Sequence, residues 1–204
     1  MSEKIQATED HHLSLADVEH EIHHHTELPS TALSNLLDAF VHRVGAFFSW
    51  LWIATVLVII YSVVSRYVFG QGSVFLEELA WHLAGAAWLV GMSYTLVHDD
   101  HVRVDVLHER FSLRTQAWFE LFGILILLLP FLYITFAEVL PYTLASFEQG
   151  ERSQAPAGLP FRWAIKAFMP FSMGLLILAA VSRLLKTTAF LFGLPKPIKL
   201  NKDA

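Results

Sequence analysis

Residues 44–65 read VGAFFSWLWIATVLVIIYSVVS, an apolar run with no Lys, Arg, Asp or Glu. Three more runs share that property: Leu79–Val97, Leu121–Ala137 and Ala167–Ser182. A helix needs about 20 apolar residues to cross the hydrocarbon core of a bilayer. Only helices and closed barrels satisfy all their backbone polar groups there. The runs are continuous rather than alternating, which selects helices over barrel strands. The third and fourth runs reach full length if Trp118 and Trp163 sit at the headgroups and Lys166 and Arg183 snorkel outward. The sequence therefore predicts an all-α integral membrane protein with four transmembrane helices, at about 44–68, 77–98, 116–140 and 163–187, within a membrane domain 29–192.

Working outward from these runs, 54% of the 204 residues are apolar, which leaves no room for a folded soluble domain. The net charge of −5 is unevenly spread. Residues 1–28 hold Glu3, Glu9, Asp10, Asp17, Glu19, Glu21 and Glu27 against Lys4 alone, and six of the chain's His residues. That composition reads as a disordered cytoplasmic tail. No apolar stretch follows Lys4, so it is not read as a signal peptide. Residues 193–204 form a basic tail. The absence of cysteine excludes disulfides, Cys-ligated zinc, iron–sulfur clusters and thiol catalysis. With both termini on one side, ten of the 14 Lys and Arg residues fall on that side and four on the other. The positive-inside rule then places both termini in the cytoplasm. The Arg66–Glu78 and Glu138–Lys166 loops face outward.

Pro29-Ser30 reads as a helix start. Leu33, Leu36, Leu37, Phe40, Val41 and Val44 then mark an amphipathic helix before the first span. It lies in the inner interface or extends the first span into the cytoplasm. Gly70-Gln71-Gly72-Ser73 is a turn by composition. On the second span, Ala80, Ala84, Ala87 and Gly91 make a stripe of small residues, suited to close helix approach either inside the bundle or against another subunit. Ser112 is the expected cap of the third span, and Pro130 is expected to bend it.

The chemistry-bearing residues are few. No Walker A pattern, nucleophile elbow or HExxH occurs, so the chain is not read as an enzyme. The acidic, His-rich tail is read as solvated rather than as a metal site. His82 lies alone within a span, and a membrane haem needs two facing axial ligands, so no cofactor is expected. Glu138 is the ionisable group nearest mid-depth, but Pro141 and Tyr142 suggest the outer interface. Arg66 and Glu77-Glu78 stand at adjoining helix ends, where a cap and an ion pair hold the hairpin or a partner subunit docks. Nothing points to nucleic acid; the surroundings are membrane lipids.

Taken in order, Arg66-Tyr67-Val68-Phe69, Phe75-Leu76-Glu77-Glu78-Leu79, His101-Val102-Arg103-Val104-Asp105 and Leu159-Pro160 resemble the small permease subunit of tripartite ATP-independent periplasmic (TRAP) transporters. The resemblance runs from about Arg43 to Leu185. A Trp that often precedes the Glu-Glu-Leu motif is replaced here by Phe75 and Leu76. Gln149-Gly150-Glu151-Arg152-Ser153 is similar to the mannitol/chloroaromatic branch. The resemblance implies a small subunit in the bacterial inner membrane that scaffolds a large permease subunit. The large subunit carries out sodium-coupled uptake of an organic anion, a carboxylate, delivered by a periplasmic substrate-binding protein. Arg66, Glu77, Glu78, Ala84, Ala87, Gly91, His101, Arg103 and Asp105 become subunit-interface or structural candidates. Glu148, Glu151 and Arg152 become candidates for docking the binding protein. Two other classes stay open at this point: the four-helix membrane anchor of a redox complex and a self-sufficient small secondary carrier.

Overall fold

The computed structural model describes residues 28–99 and 111–196. Among the described residues all regular structure is helical. Helix α1 spans Ala32–Phe69, α2 Val74–His98, α3 Leu113–Phe122, α4 Leu129–Glu148 and α5 Arg162–Phe192. A π-helical turn, Gly123–Leu128, joins α3 to α4 without a break. Three stretches are long and apolar enough to cross a bilayer: Ala32–Phe69, Leu113–Glu148 and Arg162–Phe192. The 25-residue α2 is not among these three, and Glu77, Glu78 and His82 lie in its first half.

Local chemistry sets the helix ends. α1 starts at Thr31 rather than at Pro29-Ser30. The Ser34 N–H donates to Thr31 Oγ1 at 3.2 Å, and the Thr31 N–H donates to Ser34 Oγ at 2.9 Å. This reciprocal box satisfies two helix-end donors. At the other end Gly70 adopts φ 66°, the left-handed cap that glycine enters without a Cβ penalty. Ser73 caps α2, and Ser112 caps α3 as expected. Pro130 lacks an N–H and would clash with the carbonyl four residues back. The wider π turn immediately before it accommodates both defects.

The stripe at Leu33–Val44 is the first part of the continuous α1. Its exposed members do not face the bundle: Leu33, Leu36 and Phe40 are 51%, 67% and 50% exposed. The buried face carries Ser34, Val41, Gly45, Thr55 and Ser62. Four of these five recur at multiples of seven residues, the spacing that keeps a helix on its neighbours through a left-handed wrap. Gly45 permits the closest approach, since a Cβ there would lie 2.5 Å from the Tyr94 ring of α2.

α5 forms the centre. Within its most apolar stretch 39% is buried, against 6% for α1 and 11% for the α3–α4 helix. It packs against α1, α2 and α4. Leu176 and Ala180 meet Ile124 and Leu132 in the apolar core. Buried Ser and Thr hydroxyls turn back on their own helices: Ser93 to the Val90 carbonyl at 2.7 Å, Ser172 to Met169 at 2.9 Å and Thr187 to Arg183 at 3.0 Å. Among the described residues no buried side-chain nitrogen or oxygen lacks a partner, as a low-dielectric interior requires.

Candidate functional site

Charged side chains gather at the two ends of the bundle, and each end has its own construction. At the first end, α5 contributes Arg183 and Lys186. Arg183 is 8% exposed. Its Nη2 donates to Asp99 Oδ2 at 3.0 Å, and its Nε donates to Glu120 Oε1. One guanidinium thus fastens α5 to the end of α2 and to α3. The planar fork of Arg suits two carboxylates at once. Asp99 is the C-cap of α2 at φ 62°, a conformation that Asp tolerates better than most residues. Lys186 Nζ pairs with Asp38 Oδ2 at 2.5 Å, and Ser182 Oγ donates to Asp38 Oδ1 at 2.5 Å. These bonds tie α5 to α1. Beside them the His42 and His98 rings are hydrogen-bonded at 3.2 Å, with Tyr94 stacked on His98.

At the second end, Glu78 holds the α4–α5 loop. Its carboxylate accepts from the Ser153 hydroxyl and, at 2.7 Å, from the Leu159 N–H. Gly158 makes this possible: a Cβ there would sit 2.5 Å from Ser153 Oγ and 2.7 Å from Glu78 Oε2. Within the loop, Glu151 accepts from Lys166 Nζ and, at 2.5 Å, from Ser146 Oγ, with Arg162 Nε at 3.8 Å. The Lys166 bond first, then the Ser146 bond, holds the Glu151 carboxyl below the ordinary carboxylate range. Lys166 also lies over the Tyr142 ring, 4.1 Å from its centroid. Lys166 and Arg183 therefore do not snorkel. Both are 8% exposed because carboxylates within the chain receive them.

The sequence candidates separate accordingly. Arg66 and Glu77 form the expected ion pair, with side chains 50% and 52% exposed. Glu78 leaves that pair for the loop. Ala87 is buried, while Ala84 and Gly91 are half-buried. Ala80 and Ala84 line a groove of about 610 Å³ between α1 and α2, closed at one end by Arg66 and Glu77. The face of α2 that enters the core is shifted from the predicted stripe, to Ala86, Ala87, Val90 and Ser93. His101, Arg103 and Asp105 lie outside the described residues. Glu148 and Arg152 are exposed near the α4–α5 loop, whereas Glu151 is engaged within it. Sequence reasoning missed the Arg183 centre, the Asp38–Lys186 pair and Gly158. The partners of Arg183 and Asp38 stand far away along the chain, so no local spacing marked them.

These arrangements bind helices together. The described residues hold no cluster of three or more His, Cys, Asp or Glu suited to a metal ion. In comparison with known families, the model described as Tripartite ATP-independent periplasmic transporters, DctQ component, matches residues 55–189. No curated protein and no solved structure matches the chain.

Proposed function

Since the chain belongs to the DctQ component family, the small permease subunit of TRAP transporters, we propose that it is a static brace for the large permease subunit in the bacterial inner membrane. In this reading α1, α2, the α3–α4 helix and α5 are four spans. The first part of α1 is the amphipathic extension, and the Arg183 end faces the cytoplasm with both termini. The large subunit binds sodium and an organic carboxylate and moves them across. A periplasmic binding protein delivers the carboxylate to the outer side, where the α4–α5 loop presents Glu148 and Arg152.

The observation that carries this reading is the use the chain makes of its buried and half-buried charges. Arg183, Lys186, Lys166, Glu78 and Glu151 are engaged in joining helices and loop to one another. A group that handles a transported ion must change partners during the cycle, whereas a brace keeps them. A bundle cross-linked at both ends supplies the rigid frame against which a second subunit moves.

Co-expression tests the reading. The tagged chain is purified together with the multi-span permease encoded beside its gene. The expected result is co-purification in equal amounts, with uptake of a labelled carboxylate panel in cells only when both subunits and the binding protein are present. Uptake that persists when this chain is deleted would remove the bracing role.

A further inference from the structure

We propose that the groove between α1 and α2 is a slot for one glycerophospholipid whose headgroup carries a primary ammonium, taken from the leaflet on the Arg66 side. The proposal concerns a ligand held by this chain itself and stands apart from the bracing role.

The groove is finite. Its volume of about 610 Å³ falls within the range of about 300–1,000 Å³ for small-molecule sites. Arg66 and Glu77 pair across one end. Just past Thr55 and Ala84, at the other end, the Trp52 ring of α1 meets the Trp88 ring of α2, with centroids 5.8 Å apart. Thr55 and Arg66 are about 16 Å apart along the axis of α1. That is the depth of one leaflet, half of a hydrocarbon core of about 30 Å. A membrane helix from another subunit would have to run past both ends. A lipid begins at one end and stops at the other.

One wall residue asks for a ligand. Thr55 Oγ1 donates back to the Leu51 carbonyl at 2.7 Å, so the wall is apolar there. Ser62 differs. It lines the groove and is only 9% exposed, yet among the described residues its hydroxyl has no hydrogen-bond partner. Every fully enclosed side-chain oxygen among them is paired, so the Ser62 oxygen is accessible, and the groove is what it opens to. A hydroxyl left unpaired in an apolar wall is unfavourable. Ser62 lies one helical turn, about 6 Å, below Arg66, on the same face of α1. In a glycerophospholipid the ester carbonyls, which accept hydrogen bonds, follow the phosphate at that level.

The outer end selects the headgroup. The Arg66 and Glu77 side chains are 50% and 52% exposed, which leaves guanidinium donors and carboxylate acceptors open beside each other. A phosphate takes the first, in the geometry that Arg favours, and a neighbouring ammonium takes the second. An anionic headgroup satisfies Arg66 but is repelled by Glu77. A quaternary ammonium has no N–H to donate. Below the headgroup, the short side chains of Ala80 and Ala84 leave room for an acyl chain against Ile59.

Native mass spectrometry of the full chain tests the slot, with the detergent-purified protein stripped of lipid and titrated with palmitoyl-oleoyl phosphatidylethanolamine, phosphatidylcholine or phosphatidylglycerol. The expected result is that a first phosphatidylethanolamine binds about tenfold more tightly than either other lipid. Glu77→Gln should remove that preference while binding persists. Ser62→Ala should weaken the first phosphatidylethanolamine about fivefold, the worth of one hydrogen bond. Ala84→Leu, which fills the groove, should abolish the tight site. Equal affinity for the three lipids would overturn the proposal, as would binding that Ser62→Ala and Ala84→Leu leave unchanged, since both results mean only the lipid that surrounds any membrane protein. Loss of the bound lipid when the permease is added would also overturn it, in favour of a protein occupant. Should Ala84→Leu fail to fold, Ser62→Ala, which removes a single oxygen, decides the matter.

Discussion

The two ends of this bundle use the same residue types to different effect. At the Arg183 end, one nearly buried guanidinium is shared by two carboxylates on two other helices, and Lys186 binds a third helix through Asp38. At the Glu78 end, a carboxylate reaches across to a loop and is met by a hydroxyl and a backbone N–H. The first end joins helix to helix; the second shapes a connection. The contrast teaches that the ion pairs of a small membrane bundle differ in worth by their depth. It also predicts a graded series of losses.

The greatest loss belongs to Arg183→Met. It leaves Asp99 and Glu120 without their guanidinium in a low-dielectric setting, a change worth about 3–5 kcal/mol. Thermal unfolding in detergent should show a large fall. Arg183→Lys should recover only part of it, because an ammonium does not bridge two carboxylates as a fork does. Equal stability of Arg183→Met and the parent would erase the distinction between the ends. Gly158→Ala comes next. Its Cβ collides with Ser153 and Glu78, and overpacking of this kind costs about 1–3 kcal/mol. Limited proteolysis of the 149–161 loop should speed up while the helices stay intact.

A pH effect follows in size. The Glu151 carboxyl titrates lower in the folded protein than in the unfolded chain. The contribution is therefore complete at neutral pH and above the unfolded value of about 4.3. It is lost as pH falls through the lower folded value. Hydrogen exchange of the loop amides should accelerate in that acid window, and Glu151→Gln should remove the dependence. The least effect on the fold belongs to Arg66→Ala. Its pair with Glu77 is half exposed, and such pairs contribute about 0–1 kcal/mol. Unfolding of this variant should match the parent within about 1 kcal/mol, so a larger shift would mean that the pair is better shielded than its exposure implies.

This ranking nearly inverts the order in which the residues stand out in the sequence. Arg66 and Glu77-Glu78 were conspicuous because they adjoin a turn between two apolar runs, and their pairing follows from local spacing. The helical class and three of the four expected spans were legible for the same reason, since hydrocarbon solubility is a property of continuous segments. Arg183 and Asp38 were not legible as partners of anything. Their contacts join positions 63 to 148 residues apart, and no period in a sequence encodes that. Snorkelling was the natural expectation for Lys166 and Arg183, because a lone cation at a span end has water within reach. The chain offers carboxylates instead. The stripe on α1 was visible as a pattern, but its direction was not. Small Ser34 and Gly45 face the bundle because they let helices approach, while the larger Leu33, Leu36 and Phe40 point away.

The central claim is that this subunit braces and does not carry. The most direct check is sodium-22 flux into proteoliposomes containing the purified chain alone, compared with empty liposomes and with vesicles holding both permease subunits supplied with binding protein and a labelled carboxylate panel. The account predicts that the chain alone passes no more sodium than empty liposomes, and that flux appears only when the large subunit is present. Saturable sodium entry through the chain by itself would contradict it.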